Sequence, residues 1–178
     1  TTDEAIVLLV FLYLLWGIYP IIMLCILWGW HKSGPLDVQY APLPQPMVSI
    51  IVVFRDEAMH LPDLLLDLSR QKWPATRFET ILVNDRSGDA SLDVIQQFRL
   101  QYPFFNLRVL HLTEGIYGSP KKAGIQKALE AAKGDIVLCT DADCRLPTEW
   151  ICSMANPLHQ GRADFVAGPV MFSGSGFL

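Results

Sequence analysis

The sequence predicts an α/β fold, a mostly parallel β-sheet with helices on both faces, preceded by one transmembrane helix. Three observations lead to this class: a long uncharged segment near the amino terminus, a proline-rich segment after it, and then a regular alternation of apolar runs and amphipathic segments. Such alternation is typical of parallel sheets wrapped by helices. The predicted domains are a transmembrane helix at residues 1–33, a linker at 34–47 and an α/β domain at 48–178.

The amino-terminal segment is long enough to cross a bilayer. No charged side chain occurs from Ala5 to Trp30, and about 26 residues at 1.5 Å each span roughly 39 Å, more than the roughly 30 Å of a hydrocarbon core. The alternative is a buried helix of a soluble core. His31 and Lys32 follow the apolar run, which favours a cytoplasmic position for the rest of the chain. We therefore expect a single-pass anchor in the inner (cytoplasmic) membrane, with the α/β domain in the cytoplasm.

Composition narrows the possible partners of the α/β domain. The chain has a formal net charge of −4 and no run of basic residues, which argues against nucleic acid as a partner. Four prolines between residues 34 and 47 indicate a semi-rigid linker. The four cysteines show no C-x-x-C spacing, so we expect free thiols rather than a zinc site.

The α/β domain alternates apolar runs with helical patterns. The first predicted helix places leucines 61, 64, 65 and 68 on one face. The predicted strands are Val48–Phe54, Glu79–Asn84, Leu107–Leu112, Ile136–Thr140 and a later Asp164–Phe172, and the predicted helices are Glu57–Lys72, Ala90–Tyr102 and Ser119–Lys133.

Polar clusters follow three of the predicted strands directly. In open parallel sheets, ligands bind beyond the carboxyl ends of the strands, so these clusters should meet at one edge. They are Arg55-Asp56-Glu57, Asp85-Arg86-Ser87 and Asp141-Ala142-Asp143.

Asp141 and Asp143 form a candidate cation site. Side chains alternate along a strand, so two carboxylates separated by Ala142 would share one face. Hard ions such as Mg²⁺ or Mn²⁺ take one or two carboxylates and leave positions for substrate phosphates. The alternative is a pair of solvated turn residues before Pro147.

Lys121 and Lys122 lie in the first turn of the predicted helix at Ser119–Lys133, where the helix dipole disfavours cations. That conflict suggests an anion bound by the helix terminus and the lysines together. The alternative is two solvated surface lysines.

Taken together, these motifs resemble the family 2 glycosyltransferases with the GT-A fold. The resemblance runs from Val48 onward and implies a site for a UDP- or GDP-sugar. It places the nucleobase and ribose at the first strand end and Asp85, the diphosphate near the lysines, and the metal at the acidic pair. The site residues it implies are Phe54, Arg55, Glu57, Asp85, Lys121, Lys122 and Asp141 for substrate and Asp141 and Asp143 for metal.

The resemblance also implies an inverting, metal-dependent transfer of the sugar to a lipid or glycan acceptor at the membrane. Asn84 and Asp56 depart from the commoner residues of the family and leave the nucleobase open. The family's general base is expected beyond Leu178, in a longer enzyme of which this chain would be an amino-terminal portion, and Asp164 is given a structural role.

Two other functions remain open from the sequence. A membrane-anchored nucleotide-sugar-binding module would bind the donor and metal and transfer nothing. An Asp-X-Asp phosphatase would use Asp141 as a nucleophile, but it would leave Asp85 and the lysines without a role.

Overall fold

The computed structural model describes residues 2–32, 45–113 and 119–171. The chain divides into two compact units, Thr1–Asp37 and Val38–Leu178. Most of the linker predicted at 34–47 therefore lies outside the described residues, which resume at Gln45.

The first unit contains one helix, α1, which runs from Thr2 to Lys32 without interruption at Pro20. Its window Val10–Gly29 has a mean hydropathy of 2.4, and none of that window is buried. Lys32 places its Nζ 5.1 Å from the ring centroid of Trp28, which holds a cation beside an aromatic ring at the end of the apolar segment. By length and composition, α1 could cross a membrane.

The second unit contains a parallel sheet of four strands in the order β3-β2-β1-β4, with every strand pair parallel. The strands are β1 Val48–Phe54, β2 Phe78–Asn84, β3 Leu107–His111 and β4 Ile136–Cys139. The helices are α2 Leu61–Ser69, α3 Ser91–Gln101, α4 Pro120–Ala131 and α5 Trp150–His159, with a short 3₁₀ turn at Ala75–Arg77. The predicted α/β class and its parallel sheet are confirmed.

Helices cover both faces of the sheet. Helices α2, α3 and α5 pack with residues such as Ile50 and Val52 in the larger core, and α4 packs with Ile51 and Ile81 on the opposite side. Gly124 permits close packing of α4, because a Cβ at that position would lie 2.8 Å from a methyl carbon of Val53. The amino-terminal half of α4 is thereby fixed against the last third of β1.

The structure departs most clearly from the predicted elements in three places. Helix α2 begins at Leu61, not Glu57, because residues 57–60 form a turn. Helix α5, which contains Pro157, is not among the predicted elements. The strand predicted at Asp164–Phe172 is wrong over its described residues, 164–171, none of which belongs to a strand.

Candidate functional site

The loops that follow β1 and β2 are joined by hydrogen bonds. The Asp56 N–H donates to Ser87 Oγ at 3.0 Å, and the Gly88 N–H donates to Asp56 Oδ1 at 2.6 Å. The Glu57 N–H donates to Ser91 Oγ at 2.9 Å. These reciprocal bonds make a single platform of the two loops at the carboxyl ends of β1 and β2.

Two residues of this platform have left-handed backbones. Asp56 and Arg86 each have φ of 55°, a conformation that costs a side-chain-bearing residue about 1–2 kcal/mol. The bonds of Asp56 described above hold its loop in place. Arg86 donates from Nε to Asp85 Oδ1 at 2.9 Å, and Asp85 itself is buried. Such strain persists where surrounding contacts fix the backbone, and it is concentrated at functional sites.

The predicted nucleotide-site residues Phe54, Arg55 and Glu57 differ in exposure. Phe54 is buried in the core, and its carbonyl oxygen accepts the Asp85 N–H at 2.9 Å. Arg55 is exposed, with Nε 3.7 Å from Asp56 Oδ2, and Glu57 is half-buried. The side chain of Phe54 is therefore committed to packing, whereas those of Arg55 and Glu57 reach solvent.

Asp141 and Asp143 lie in a turn beyond β4. The strand ends at Cys139, and the Cys144 N–H donates to the Asp141 carbonyl at 3.4 Å. The two carboxylates therefore lie beyond the end of the strand, in a turn and not in strand conformation. Both aspartates are exposed and Ala142 between them is buried, so the small residue packs into the core while the acids stay at the surface.

The first turn of α4 reaches the acidic turn. Lys121 places its Nζ 2.5 Å from Asp141 Oδ1, across 20 residues of sequence. The hydrogen bond to Asp141 raises the pKa of Lys121 against the opposing effect of partial burial, and the charges of Asp141 and Asp143 add to the rise. Lys122 is exposed. The structure thus brings together one of the two predicted lysines and the predicted acidic pair.

The acidic turn offers a donor set that suits a hard divalent ion shared with a substrate. Within residues 2–32, 45–113 and 119–171, no group of three or more His, Cys, Asp or Glu side chains could hold a metal by itself. Two exposed carboxylates leave the remaining coordination positions to phosphate oxygens and water, as Mg²⁺ sites usually do. The Lys121 ammonium against Asp141 also shows that this turn accepts a cation. The side chains of Asp141 and Asp143 are therefore suitable ligands for a hard divalent ion such as Mg²⁺ or Mn²⁺.

The sequence did not predict the hydrogen bonds that connect α2 to the segment after the acidic turn. Asp67 on α2 accepts hydrogen bonds from Arg145 Nε at 2.7 Å, Arg145 Nη2 at 3.1 Å and the Leu146 N–H at 3.0 Å. Gln71 donates to the Pro147 carbonyl at 2.8 Å and accepts the Ile151 N–H at 3.0 Å. The available signal was an aspartate between Leu65 and Leu68, within the apolar stripe of α2.

A parallel sheet with polar loops at its carboxyl ends has the architecture in which α/β proteins bind their ligands at that edge. Residues 49–177 match the family described as Glycosyl transferase family 2, and the chain belongs to this family. The family consists of glycosyltransferases, enzymes that use nucleotide-sugar donors. The solved structures similar to this chain have the GT-A fold.

Three similar proteins illustrate the range of the family. The undecaprenyl-phosphate 4-deoxy-4-formamido-L-arabinose transferase of Pseudomonas savastanoi pv. phaseolicola is 35% identical over 123 residues, 67% of this chain and 35% of that protein. TarS of Staphylococcus aureus, a poly(ribitol-phosphate) beta-N-acetylglucosaminyltransferase, is 29% identical over 116 residues, 65% of this chain and 19% of that protein. A TarS structure in complex with UDP-GlcNAc matches 66% of this chain and 32% of that chain with a TM-score of 0.56.

The third is the mannosyltransferase PcManGT from Pyrobaculum calidifontis, solved in complex with GDP-Man and Mn²⁺. It is 25% identical, with a TM-score of 0.57 over 71% of this chain and 39% of that chain. The present chain therefore spans between 19% and 39% of the length of these proteins.

Proposed function

We propose that this chain carries the donor site of a membrane-anchored, metal-dependent, inverting glycosyltransferase. In this proposal a UDP- or GDP-sugar donates its sugar to a lipid or glycan acceptor at the cytoplasmic face of the membrane. The observation that carries the proposal is the meeting of the first turn of α4, through Lys121, with the Asp141–Asp143 turn at the carboxyl end of β4. A cationic helix terminus beside two carboxylates suits a diphosphate bound together with a divalent ion.

Each part of the site has a role in this proposal. Asp141 and Asp143 would hold Mg²⁺ or Mn²⁺, which when bound neutralises charge on the departing nucleoside diphosphate. Lys121, Lys122 and the free N–H groups of the first turn of α4 would bind the diphosphate. The platform of the β1 and β2 loops, with the buried Asp85, would hold the ribose and nucleobase. The acceptor hydroxyl must lose its proton to a general base, a role we assign to none of the described residues.

Two properties of similar proteins support the finer parts of the proposal. One similar transferase is named for undecaprenyl phosphate, a lipid acceptor, and another similar structure holds GDP-Man with Mn²⁺. The apolar helix α1 would keep the donor site near such a lipid.

Calorimetry on Asp141→Asn and Asp143→Asn tests the metal-dependent donor site. With Mn²⁺ present, each variant should bind UDP or GDP on the order of 10- to 100-fold more weakly than the parent chain, because a charged metal ligand is lost. Without Mn²⁺, the loss should be much smaller. Asp93→Asn, an exposed aspartate in the first turn of α3, is the matched control. If all three variants bound UDP or GDP in the presence of Mn²⁺ as tightly as the parent chain does, the proposed metal site would be refuted.

Product analysis separates the proposed transfer from its alternatives. A protein that contains this donor site together with the general base, incubated with UDP- or GDP-sugar, Mn²⁺ and an undecaprenyl-phosphate acceptor, should yield a glycosylated lipid with an inverted anomeric carbon. Binding of the donor without any product would favour the binding module. Release of phosphate from a phosphomonoester, abolished by Asp141→Asn, would favour the phosphatase.

A further inference from the structure

The ion pair between Lys121 and Asp141 has a consequence for the order in which ligands can bind. The Lys121 ammonium contacts Oδ1 of Asp141, one of the oxygens proposed to bind the metal. Both side chains remain largely exposed, 61% for Lys121 and 55% for Asp141. Exposed pairs of this kind are weak, so this pair can open when either partner finds a better ligand.

The position of the lysine is fixed by rigid elements. Lys121 lies in the first turn of α4, three residues before Gly124, which packs directly on Val53 of β1. Strand β1 pairs with β4 up to Ile51 and Cys139, two residues before Asp141. Two well-packed connections therefore hold the lysine and the acidic turn together, which makes their contact a property of the fold.

We propose that Lys121 competes with the divalent ion for Asp141 and thereby makes metal binding depend on the donor's diphosphate. The inference rests on the proposed function and adds a coupling role for one residue. A divalent ion that arrives alone must displace the ammonium, which then remains as a nearby like charge. A diphosphate offers the ammonium an alternative anion and leaves Asp141 to the metal. Because coupling is reciprocal, the metal must raise nucleotide affinity by the same factor.

Lys121→Met removes the charge while keeping most of the side-chain length. In the absence of nucleotide, Mn²⁺ should bind this variant about 3- to 10-fold more tightly than the parent chain, because the competing cation is gone. UDP or GDP should bind more weakly, because the diphosphate loses a cation. The factor by which nucleotide strengthens Mn²⁺ binding should therefore fall in the variant.

The measurement is a titration of Mn²⁺ followed by the electron paramagnetic resonance signal of the free ion. The full chain, purified in detergent and stripped of metal with a chelator, is titrated alone and with saturating UDP or GDP. Lys121→Arg keeps the charge and should retain the weak binding of Mn²⁺ alone. Lys133→Met removes a positive charge just beyond the other end of α4, near Ser49 at the amino ends of the strands, and should leave both affinities unchanged.

The outcomes separate this inference from the proposed function. Tighter binding of Mn²⁺ alone in Lys121→Met, with weaker coupling to the nucleotide, supports the competition. Unchanged or weaker binding of Mn²⁺ alone, or an equal gain in Lys133→Met, overturns it while nucleotide binding by the parent chain remains. If the parent chain binds neither UDP nor GDP in the presence of Mn²⁺, the proposed function fails and the inference falls with it.

Discussion

Glu79 is a charged residue that is 1% exposed, and its surroundings explain why the fold retains it. Its carboxylate accepts hydrogen bonds from Ser49 Oγ at 2.7 Å, the Lys133 N–H at 2.7 Å and Arg108 Nη2 at 2.8 Å. Gly134 adjoins this network, where a Cβ would lie 2.4 Å from the Ser49 nitrogen. The network thus ties the end of α4 to the amino ends of β1 and β2.

We predict that Glu79→Ala lowers the free energy of unfolding by about 3 kcal/mol or more. The substitution opens a cavity and removes the acceptor of a backbone N–H and of a partly buried arginine. Urea denaturation followed by circular dichroism measures the change. Glu130→Ala removes an exposed glutamate of α4 and should change the stability by less than about 0.5 kcal/mol. Similar values for the two variants would contradict the structural role of Glu79.

The buried carboxylates also predict an acid limit to stability. Burial alone would raise the pKa of Glu79, but hydrogen bonds from Ser49, Lys133 and Arg108 outweigh it and lower that pKa below its usual value. Burial would likewise raise the pKa of Asp67, but the hydrogen bonds from Arg145 and the Leu146 N–H outweigh it and lower that pKa below its usual value.

A group whose pKa is lower in the folded chain stabilises the fold above its unfolded-state pKa, and that stability is lost as pH falls through the folded-state value. The free energy of unfolding should therefore be flat near neutrality and decline below about pH 5. Denaturation series at fixed pH values measure this curve, and Glu79→Gln should make the decline shallower. A decline of equal steepness in Glu79→Gln would contradict the assignment.

At this scale, the sequence indicated candidate site residues but not their long-range contacts. The motifs at Asp141–Asp143 and Lys121 were visible as charges at the ends of elements, and the structure brings them together. The partners of Asp67 and Glu79 were not visible, because they lie 78 and 29 residues away, in Arg145 and Arg108. Long-range pairing of that kind leaves no periodic pattern in a single sequence.

Helix α2 anchors the segment that follows the acidic turn. Besides the bonds of Asp67 and Gln71, the Lys72 N–H donates to the Thr148 carbonyl at 2.8 Å, and Cys152 Sγ lies 3.1 Å from the Lys72 carbonyl oxygen. Residues 145–152 are thereby held against α2, and the proposed metal turn at 141–143 directly precedes them.

We predict that Asp67→Ala lowers the free energy of unfolding by about 2–3 kcal/mol, because it leaves the buried Leu146 N–H without its acceptor. Asp63→Ala is the matched control, since Asp63 lies one helical turn earlier and also pairs with Arg145, at 2.9 Å, but is 56% exposed. Its loss should cost less than about 1 kcal/mol. Denaturant unfolding of both variants measures the contrast, and a cost for Asp63→Ala as large as that for Asp67→Ala would contradict it.

The elements were predicted where pattern and environment agree. Strands β1 and β2 are rich in β-branched and other apolar residues and are buried on both faces, so their type follows from the sequence. The segment at 164–171 also contains apolar residues, but Gly168 and Pro169 interrupt them. Phe165, Val170 and Met171 are largely exposed and belong to no strand. Apolar residues alone do not produce a strand when no neighbouring strand among the described residues pairs with the segment.

At the scale of the whole molecule, the basic residues at the end of α1 predict on which side of the membrane the second unit lies. His31 and Lys32 end the helix, so we predict that the glycosyltransferase unit lies in the cytoplasm. A cysteine at position 104 reports on this, because Phe104 is 98% exposed between α3 and β3 and lies away from the carboxyl-end loops. The background replaces the free cysteines 25, 139, 144 and 152.

Phe104→Cys in that background should remain unlabelled by a membrane-impermeant maleimide in intact cells and become labelled after the membrane is opened with detergent. The physical reason is that the hydrocarbon core excludes the charged reagent from the cytoplasmic side. The cysteine-free background controls for labelling elsewhere, and Thr2→Cys, at the start of α1, should show the opposite behaviour and react in intact cells. Labelling of position 104 without detergent, with position 2 protected, would place the donor site outside the cytoplasm and reverse the proposed orientation.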